Sequence, residues 1–423
     1  MKKLIIILII STKIFSQIVI VPNSMGTAGT IATQACGDEV IGWNPANLGF
    51  LDNPEFSISF GIIPIVPLPA VDILNDAVSI NWLADYLFSN RHLDNDAKDE
   101  MLSVFKNTTW NINPLMYAKI LGISSGKFAF SIGAEINSNF QVPKTILETI
   151  MYGNKFSEKI SFDEIDGSAQ AVIPFTFAFG FPIDFQEFSL EQKNNYLGIG
   201  VKFLWGIGTA DVQSFDGGFT SYHDRIEGNG IGKIKYSQDG FGLGLDLGWA
   251  FNNNQGFIAN LAVQNLIGFI KWPSDNSEML QVNFDANIEV GENFEDIIDA
   301  FTGTDSTYST TGFDTDYPRN IIAGIQYNLE SNTELYLNYR QYFTDEFQYT
   351  KTPRISIGSQ FNSDKWFPIR IGVAFGGVEK FQTGFGFGFH GRHYHFDVGI
   401  VQTGGFFNSA KGIGISLGQK ILF

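Results

Sequence analysis

The chain of 423 residues carries 44 acidic against 27 basic residues, a net charge of −17 at pH 7, and one cysteine, Cys36. Such an acidic surface repels phosphate backbones and argues against nucleic acid as a partner; a lone cysteine excludes an internal disulfide. Charged residues are only 17% while hydrophobic residues are an ordinary 44%, and the unusual enrichment lies in 45 glycines and 41 phenylalanines.

In chain order, "MKKLIIILIISTKIFSQ" comes first. Lys2 and Lys3 precede a short apolar core, Leu4 to Ile10, and Ser16 precedes a cut at Gln17. This reads as an export signal over residues 1–16, too short for a spanning helix, which needs roughly 17–25 apolar residues. Loss of Lys2, Lys3 and Lys13 with it makes the remainder more acidic still. Elsewhere no apolar run is long enough to cross a membrane as a helix. An exported chain of this kind is either soluble outside the inner membrane or a β-barrel.

Residues 17–50 differ from everything after them. "NSMGTAGTIATQACGDEVIGWNPANLGF" (Asn23 to Phe50) is small, polar and rich in Gly and Ala, a poor strand and a poor amphipathic helix. It suits a compact plug threaded into a pore, or else a disordered leader. Asp38 and Glu39 are its acidic pair. Asn44, Pro45 and Ala46 form a turn that sends the chain toward a first strand at Glu55.

From residue 51 to residue 423, apolar residues alternate with polar or tiny ones. In "EFSISFGI", Phe56, Ile58, Phe60 and Ile62 share one face; "KFAFSIGAEIN", "YLGIGVKFLWG" and "GLGLDLGWAF" repeat the pattern. Further dyads run over Leu280 to Val290, Asn320 to Asn328, Thr333 to Phe343, Pro353 to Phe361, Phe367 to Phe375, Phe381 to Phe389, Tyr394 to Val401 and Gly412 to Phe423. With weaker candidates around Met116, Ala169 and Ala259, this predicts one all-β domain. It is a transmembrane antiparallel barrel of about 14 strands, with lipid against its outer face. "FGFGFHG" explains itself on this reading: the Phe face meets lipid, and inward glycines leave room for something lodged inside. By the same parity Arg340, Arg354 and Arg370 point into the lumen, where they are expected to face Asp38 and Glu39 or a substrate carboxylate.

Helices are predicted around Ala70 to Phe88, Asp94 to Phe105 with Asp94 as N-cap, Pro143 to Tyr152, and Phe294 to Phe301, all as short helices in loops. Gly303 to Tyr317 reads as a polar loop. The chain ends in "SLGQKILF", where Ser416, Gly418, Ile421 and Phe423 resemble the C-terminal signal read by the barrel assembly machinery of outer membranes.

No catalytic residues emerge. "GISSG" (Gly122 to Gly126) matches a nucleophile elbow but lies between two alternating segments, so it reads as a hairpin turn. "GFGFHG" lacks the helix that a dinucleotide fingerprint needs. His393, His395 and Asp397 would share one strand face but lack a fourth ligand at known spacing, with His390 read into a polar turn, and Asp94/Asp96 and Asp314/Asp316 lack the glycine and terminal Glu of a calcium loop. No metal or other cofactor is expected, and no enzymatic activity.

"MGTAGT…GDEVIGWNPANLGF" resembles the N-terminal segment of FadL-like outer-membrane barrels, whose hatch carries an Asn-Pro-Ala motif, here Asn44, Pro45 and Ala46. PorV-like proteins of the type IX secretion system begin similarly. "VPKTILETIMYGN" and "GFGLGLDLGWAF" resemble a related, uncharacterised group of exported barrels. The resemblance implies a fourteen-stranded barrel with an N-terminal hatch, located in the outer membrane. From its transporter members it implies a channel for hydrophobic or amphipathic small molecules. From its PorV-like members it implies instead a non-conducting barrel that docks secretion-system or surface proteins. The helical insert between Ala70 and Phe105 departs from the family.

Overall fold

The computed structural model describes residues 21–61, 70–86, 94–106, 109–153, 156–183, 194–289, 304–329, 332–345, 347, 349–362 and 366–423. The export signal at residues 1–16 and the helix expected at Phe294 to Phe301 lie outside them.

Period-two alternation over most of the chain produces a closed antiparallel barrel of 14 strands. Its first strand, β1, comes in two pieces, Phe56–Phe60 and Ala70–Asn75, which share the neighbours on either side. β2 (Thr109–Ser125), β3 (Phe128–Pro143) and β4 (Asp166–Ile183, with Lys159–Ser161 ahead of it) follow. β5 (Asn195–Ser221) and β6 (Arg225–Asn252) are the longest. β7 comprises Phe257–Gln264, Gly268–Trp272 and Ser277–Glu289, and β8 comprises Thr304–Ser309, Phe313–Asp316 and Asn320–Leu329. β9 (Thr333–Tyr342), β10 (Arg354–Phe361), β11 (Ile369–Gly376), β12 (Lys380–His390), β13 (Tyr394–Thr403) and β14 (Gly412–Leu422) complete the wall. β14 closes on β1 with Ser57 opposite Leu422 and Val71 opposite Ile415. Closure matters because lipid offers no hydrogen bonds to an unpaired strand edge.

The faces fall as the alternation requires. Phe177, Phe203, Leu247, Ile357 and Phe385 point outward, each about half exposed on the isolated chain, while Thr176, Lys202, Asp246, Ser356 and Gln382 point inward and are buried. A barrel with this apolar exterior sits in an outer membrane. The "GISSG" stretch is a hairpin: β2 ends at Ser125, the turn is Gly126 and Lys127, and Gly126 takes the left-handed φ of 54° that favours glycine.

β5 and β6 have 27 and 28 residues, against the roughly 9–11 needed to cross a bilayer. Their excess projects at the end away from Phe56 and Phe423, joined there by the distal pieces of β4, β7 and β8. Short turns such as Gly126–Lys127 lie at the end of Phe56 and Phe423, so that end is periplasmic and the arm extracellular. Two expectations need correcting here. Gly303 to Tyr317 is not simply a loop, because Thr304–Ser309 and Phe313–Asp316 pair with β7 as strands of the arm. Ala70 to Phe88 is not one helix: Ala70–Asn75 is strand and only Ile80–Tyr86 is helical. Neighbouring β2 and β14 supply hydrogen-bonding edges there, and pairing overrides local propensity.

Four α-helices are described: α1 (Pro22–Gly26), α2 (Ile80–Tyr86), α3 (Asn95–Ser103) and α4 (Lys144–Tyr152). Asp94 caps α3 as expected, its carboxylate accepting the Ala97 N–H at 2.9 Å. α2 to α4 lie at the extracellular end, where Trp82, Met101, Leu102 and Phe105 form a small core with Leu147 and Met151 packed against it.

Candidate functional site

Residues 21–50 lie inside the barrel, among the most buried of the chain. They form no strand; α1 and two 3-10 turns, Gly37–Val40 and Pro45–Gly49, are their only regular structure. The inward glycines make room for them. A Cβ added at Gly372, Gly384 or Gly399 would come closer than 3.0 Å to backbone of Pro22 to Ala28, and one at Gly180 or Gly198 would meet Pro45 and its neighbours equally closely. The glycine face of the Phe-Gly strand is therefore the surface on which α1 rests.

Asn44, Pro45 and Ala46 form a clamp. The Asn44 side chain accepts the Ala46 N–H at 2.9 Å, capping the turn, while its Nδ2 donates to the Trp249 carbonyl of β6, also at 2.9 Å. Asn47 donates to the Ala32 and Ala35 carbonyls, tying the segment to itself.

Inward polar side chains then catch the segment's backbone. Asn260 donates to Ala32 (2.5 Å), Gln264 to Trp43 (3.0 Å), Arg340 to Gly42 (3.0 Å) and Arg354 to Ala28 (3.1 Å). The Arg340 guanidinium also lies 4.5 Å from the centre of the Trp43 ring. Non-regular backbone carries carbonyls that must be satisfied, and these side chains satisfy them.

All three arginines point into the lumen, but none meets Asp38 or Glu39. Arg354 pairs with Glu379 at 3.1 Å, Arg370 with Asp397 at 2.6 Å, and Arg340 with neither acid of the segment. Asp38 binds Lys119 of β2 at 2.7 Å and accepts from Ser59 at 2.5 Å; Glu39 faces Lys420 of β14 at 3.9 Å. The reason is position around the ring: the turn holding Asp38 and Glu39 rests on β1, β2 and β3, whereas the arginines stand on β9, β10 and β11. Sequence parity identifies a residue as inward without saying which inward residues meet. A solitary Lys119 within "LMYAKILGI" was the available signal for the missed partner, as was the inward parity of Asn260 and Gln264.

His390 and Asp397 meet at 3.0 Å, and the His390 and His395 rings stack with centroids 3.9 Å apart, whereas His393 is exposed and lies against the Leu422 carbonyl. Among the described residues no group of three or more His, Cys, Asp or Glu is placed to hold a metal ion. Ser416 and Gly418 face inward and Ile421 outward on β14; Phe423 follows the strand, its ring against Phe56.

Among the described residues, cavities lie on either side of the segment. On the extracellular side, one of about 90 Å³ is floored by Ile41 and Gly42 and lined by Glu135, Lys202, Arg340 and several tyrosines. On the periplasmic side, one of about 510 Å³ is bounded by Gln34, Glu39, Asn328, Arg370, His395 and Lys420.

A closed, lipid-facing barrel with a segment folded into its lumen gives the chain the fold of a FadL-like outer-membrane barrel. The chain belongs to the DUF5723 family, a family of unknown function, whose model matches residues 54–241 and 218–400. No curated protein matches it. Among solved structures it resembles the toluene transporter TbuX of Ralstonia pickettii (TM-score 0.51, 13% identity, 95% of this chain and 98% of that one). It also resembles the P. putida toluene transporter TodX (0.53, 10%, 95% and 98%) and the monoaromatic hydrocarbon channel CymD (0.51, 11%, 96% and 97%). At these identities the likeness shows the fold.

Proposed function

We propose that the barrel is a channel for hydrophobic or amphipathic small molecules and that residues 17–50 act as its hatch. The observation that carries this reading is the pair of cavities separated by the N-terminal segment. Its described residues, 21–50, are held by side-chain contacts and glycine seats, not by pairing into the wall, so they can move without breaking the barrel. The fold shared with transporters of toluene and other monoaromatic hydrocarbons supports it. A docking role for partner proteins is the second reading. What favours it is the extracellular arm, where Phe162, Phe215, Phe219 and Phe284 gather with ring centroids within 6.0 Å of Phe162.

The test compares the refolded full chain with a version lacking residues 17–49, in liposome swelling, toluene permeation and single-channel recording. Ion conductance that appears only on truncation, together with toluene permeation by the full chain, is the expected result. Silence from both proteins overturns the channel and leaves docking, to be pursued by pull-down through the arm.

A further inference from the structure

On the side of the rim away from the arm, the extracellular turns are short: β11 passes to β12 through Gly377 to Glu379, and β13 to β14 through Gly404 to Lys411. β12 and β14 have 11 residues each, close to the roughly 9–11 that cross a bilayer. Lys380 at the head of β12 and Lys411 just before β14 therefore stand at the level of the outer headgroups. The Lys411 stem lies along Gly404, where an added Cβ would meet it at between 3.1 and 3.5 Å, and the Gly404 N–H donates to the Phe381 carbonyl, next to Lys380, at 2.7 Å. Partial burial lowers the Lys411 pKa; Asp76 opposes that shift, while the like charges of Lys380 and of Lys106, just beyond α3, add to it. Three cations thus crowd one edge of a chain whose net charge is −17. Of the acids nearby, Glu379 is turned inward onto Arg354 at 3.1 Å, and the Asp76 carboxylate is held by the Asn111 backbone and side chain at 3.0 and 2.8 Å. Beside and below the lysines the outer surface is aromatic. The Phe381 ring lies 5.5 Å from Phe375 and 5.0 Å from Phe406, and Phe406 and Phe407 are 55% and 76% exposed.

We propose that this edge of the rim binds a phosphorylated, multiply acylated glycolipid of the outer leaflet, of the lipid A class. Its phosphates lie among Lys106, Lys380 and Lys411, and its acyl chains run down the wall over Phe375, Phe381 and Phe406. An anion relieves the repulsion among neighbouring ammonium groups. The cations stand at headgroup level and the aromatic surface continues into the lipid-facing wall, a combination that a soluble phosphate would leave half unused. Each cation near a membrane surface strengthens the hold on anionic lipid by about five-fold. The site rests on the barrel's place in the outer membrane and is independent of transport through the lumen.

The test follows displacement of a fluorescent lipid A probe from the full chain, folded in lipid-free detergent, by diphosphoryl lipid A and by inorganic phosphate. Diphosphoryl lipid A should displace the probe, and inorganic phosphate at millimolar concentration should not. Lys106→Gln, Lys380→Gln and Lys411→Gln combined should weaken lipid A binding by about ten-fold or more. Lys271→Gln, Arg319→Gln and Lys351→Gln combined make the same charge change elsewhere on the extracellular side and should leave binding as it was. Heat-modifiable gel mobility reports whether each variant is a folded barrel; should the first combination misfold, Lys106→Gln with Lys380→Gln, both exposed, carries the comparison. Absence of lipid A binding, equal affinity after loss of the three lysines, equal loss in both combinations, or displacement by inorganic phosphate as readily as by lipid A overturns the assignment.

Discussion

Lys119 and Asp38 offer the sharpest test of how the N-terminal segment is held. They meet at 2.7 Å with side chains 10% and 0% exposed, and Ser59 adds a hydrogen bond to the same carboxylate oxygen. Replacing Lys119 by Met keeps the volume but leaves the Asp38 carboxylate buried without its cation. Breaking one side of a buried pair costs about 3–5 kcal/mol. Lys420, which faces neighbouring Glu39 and donates to the Cys36 carbonyl, stands on the same side of the segment and offsets part of that. The lower figure, about 3 kcal/mol, is therefore the working value, equivalent to roughly a hundred-fold. Because Asp38 belongs to the segment and Lys119 to the wall, the loss falls on local release of the segment and not on the barrel. Hydrogen exchange in detergent should show the amides of residues 21–50 exchanging about a hundred times faster in Lys119→Met, with β5 and β6 unchanged as internal references. Adding Asp38→Asn removes the stranded charge and should recover most of the protection. Exchange in Lys119→Met that matches the parent chain, or equal loss in the strands, refutes the argument that this pair latches the segment.

Two further outcomes follow from the seats of the segment. Gly198→Leu places side-chain atoms where the backbone of Pro45 and Ala46 now lies; it should expose residues 21–50 to protease while the barrel keeps its heat-modifiable mobility. Asn44→Ala removes both the cap on Ala46 and the bond to Trp249, a loss of about 1–2 kcal/mol. Faster exchange at Ala46 to Gly49, by roughly ten-fold, is the expected reading; unchanged exchange there would deny the motif its clamping role.

The fold was legible because alternation is a local property. Whether Phe385 faces lipid and Gly386 the lumen follows from the zigzag of one strand, whatever its neighbours are. Strand boundaries from Thr333 onward agree with the alternation to within two residues, and Asp94 announces its helix through a single side-chain acceptor. The pieces missed were those whose strand character depends on a neighbour's edge: Ala70–Asn75, seated between β2 and β14, and Thr304–Ser309, paired on β7 in the arm.

The site divides along the same line. The small, glycine-rich composition of residues 23–50 and the row of inward glycines together indicated a segment inside a barrel, and parity placed Arg340, Arg354 and Arg370 in the lumen. Their partners belong to the tertiary structure. Strand tilt, the extra residue at Ile120 that shifts the β2 register, and the path of the segment across the ring decide that Asp38 meets Lys119 and Arg354 meets Glu379. By itself the sequence determined which face each residue takes, because that depends on a repeat of two residues. Only closure of the ring decided which faces meet across it, because that depends on the stagger accumulated over fourteen strands.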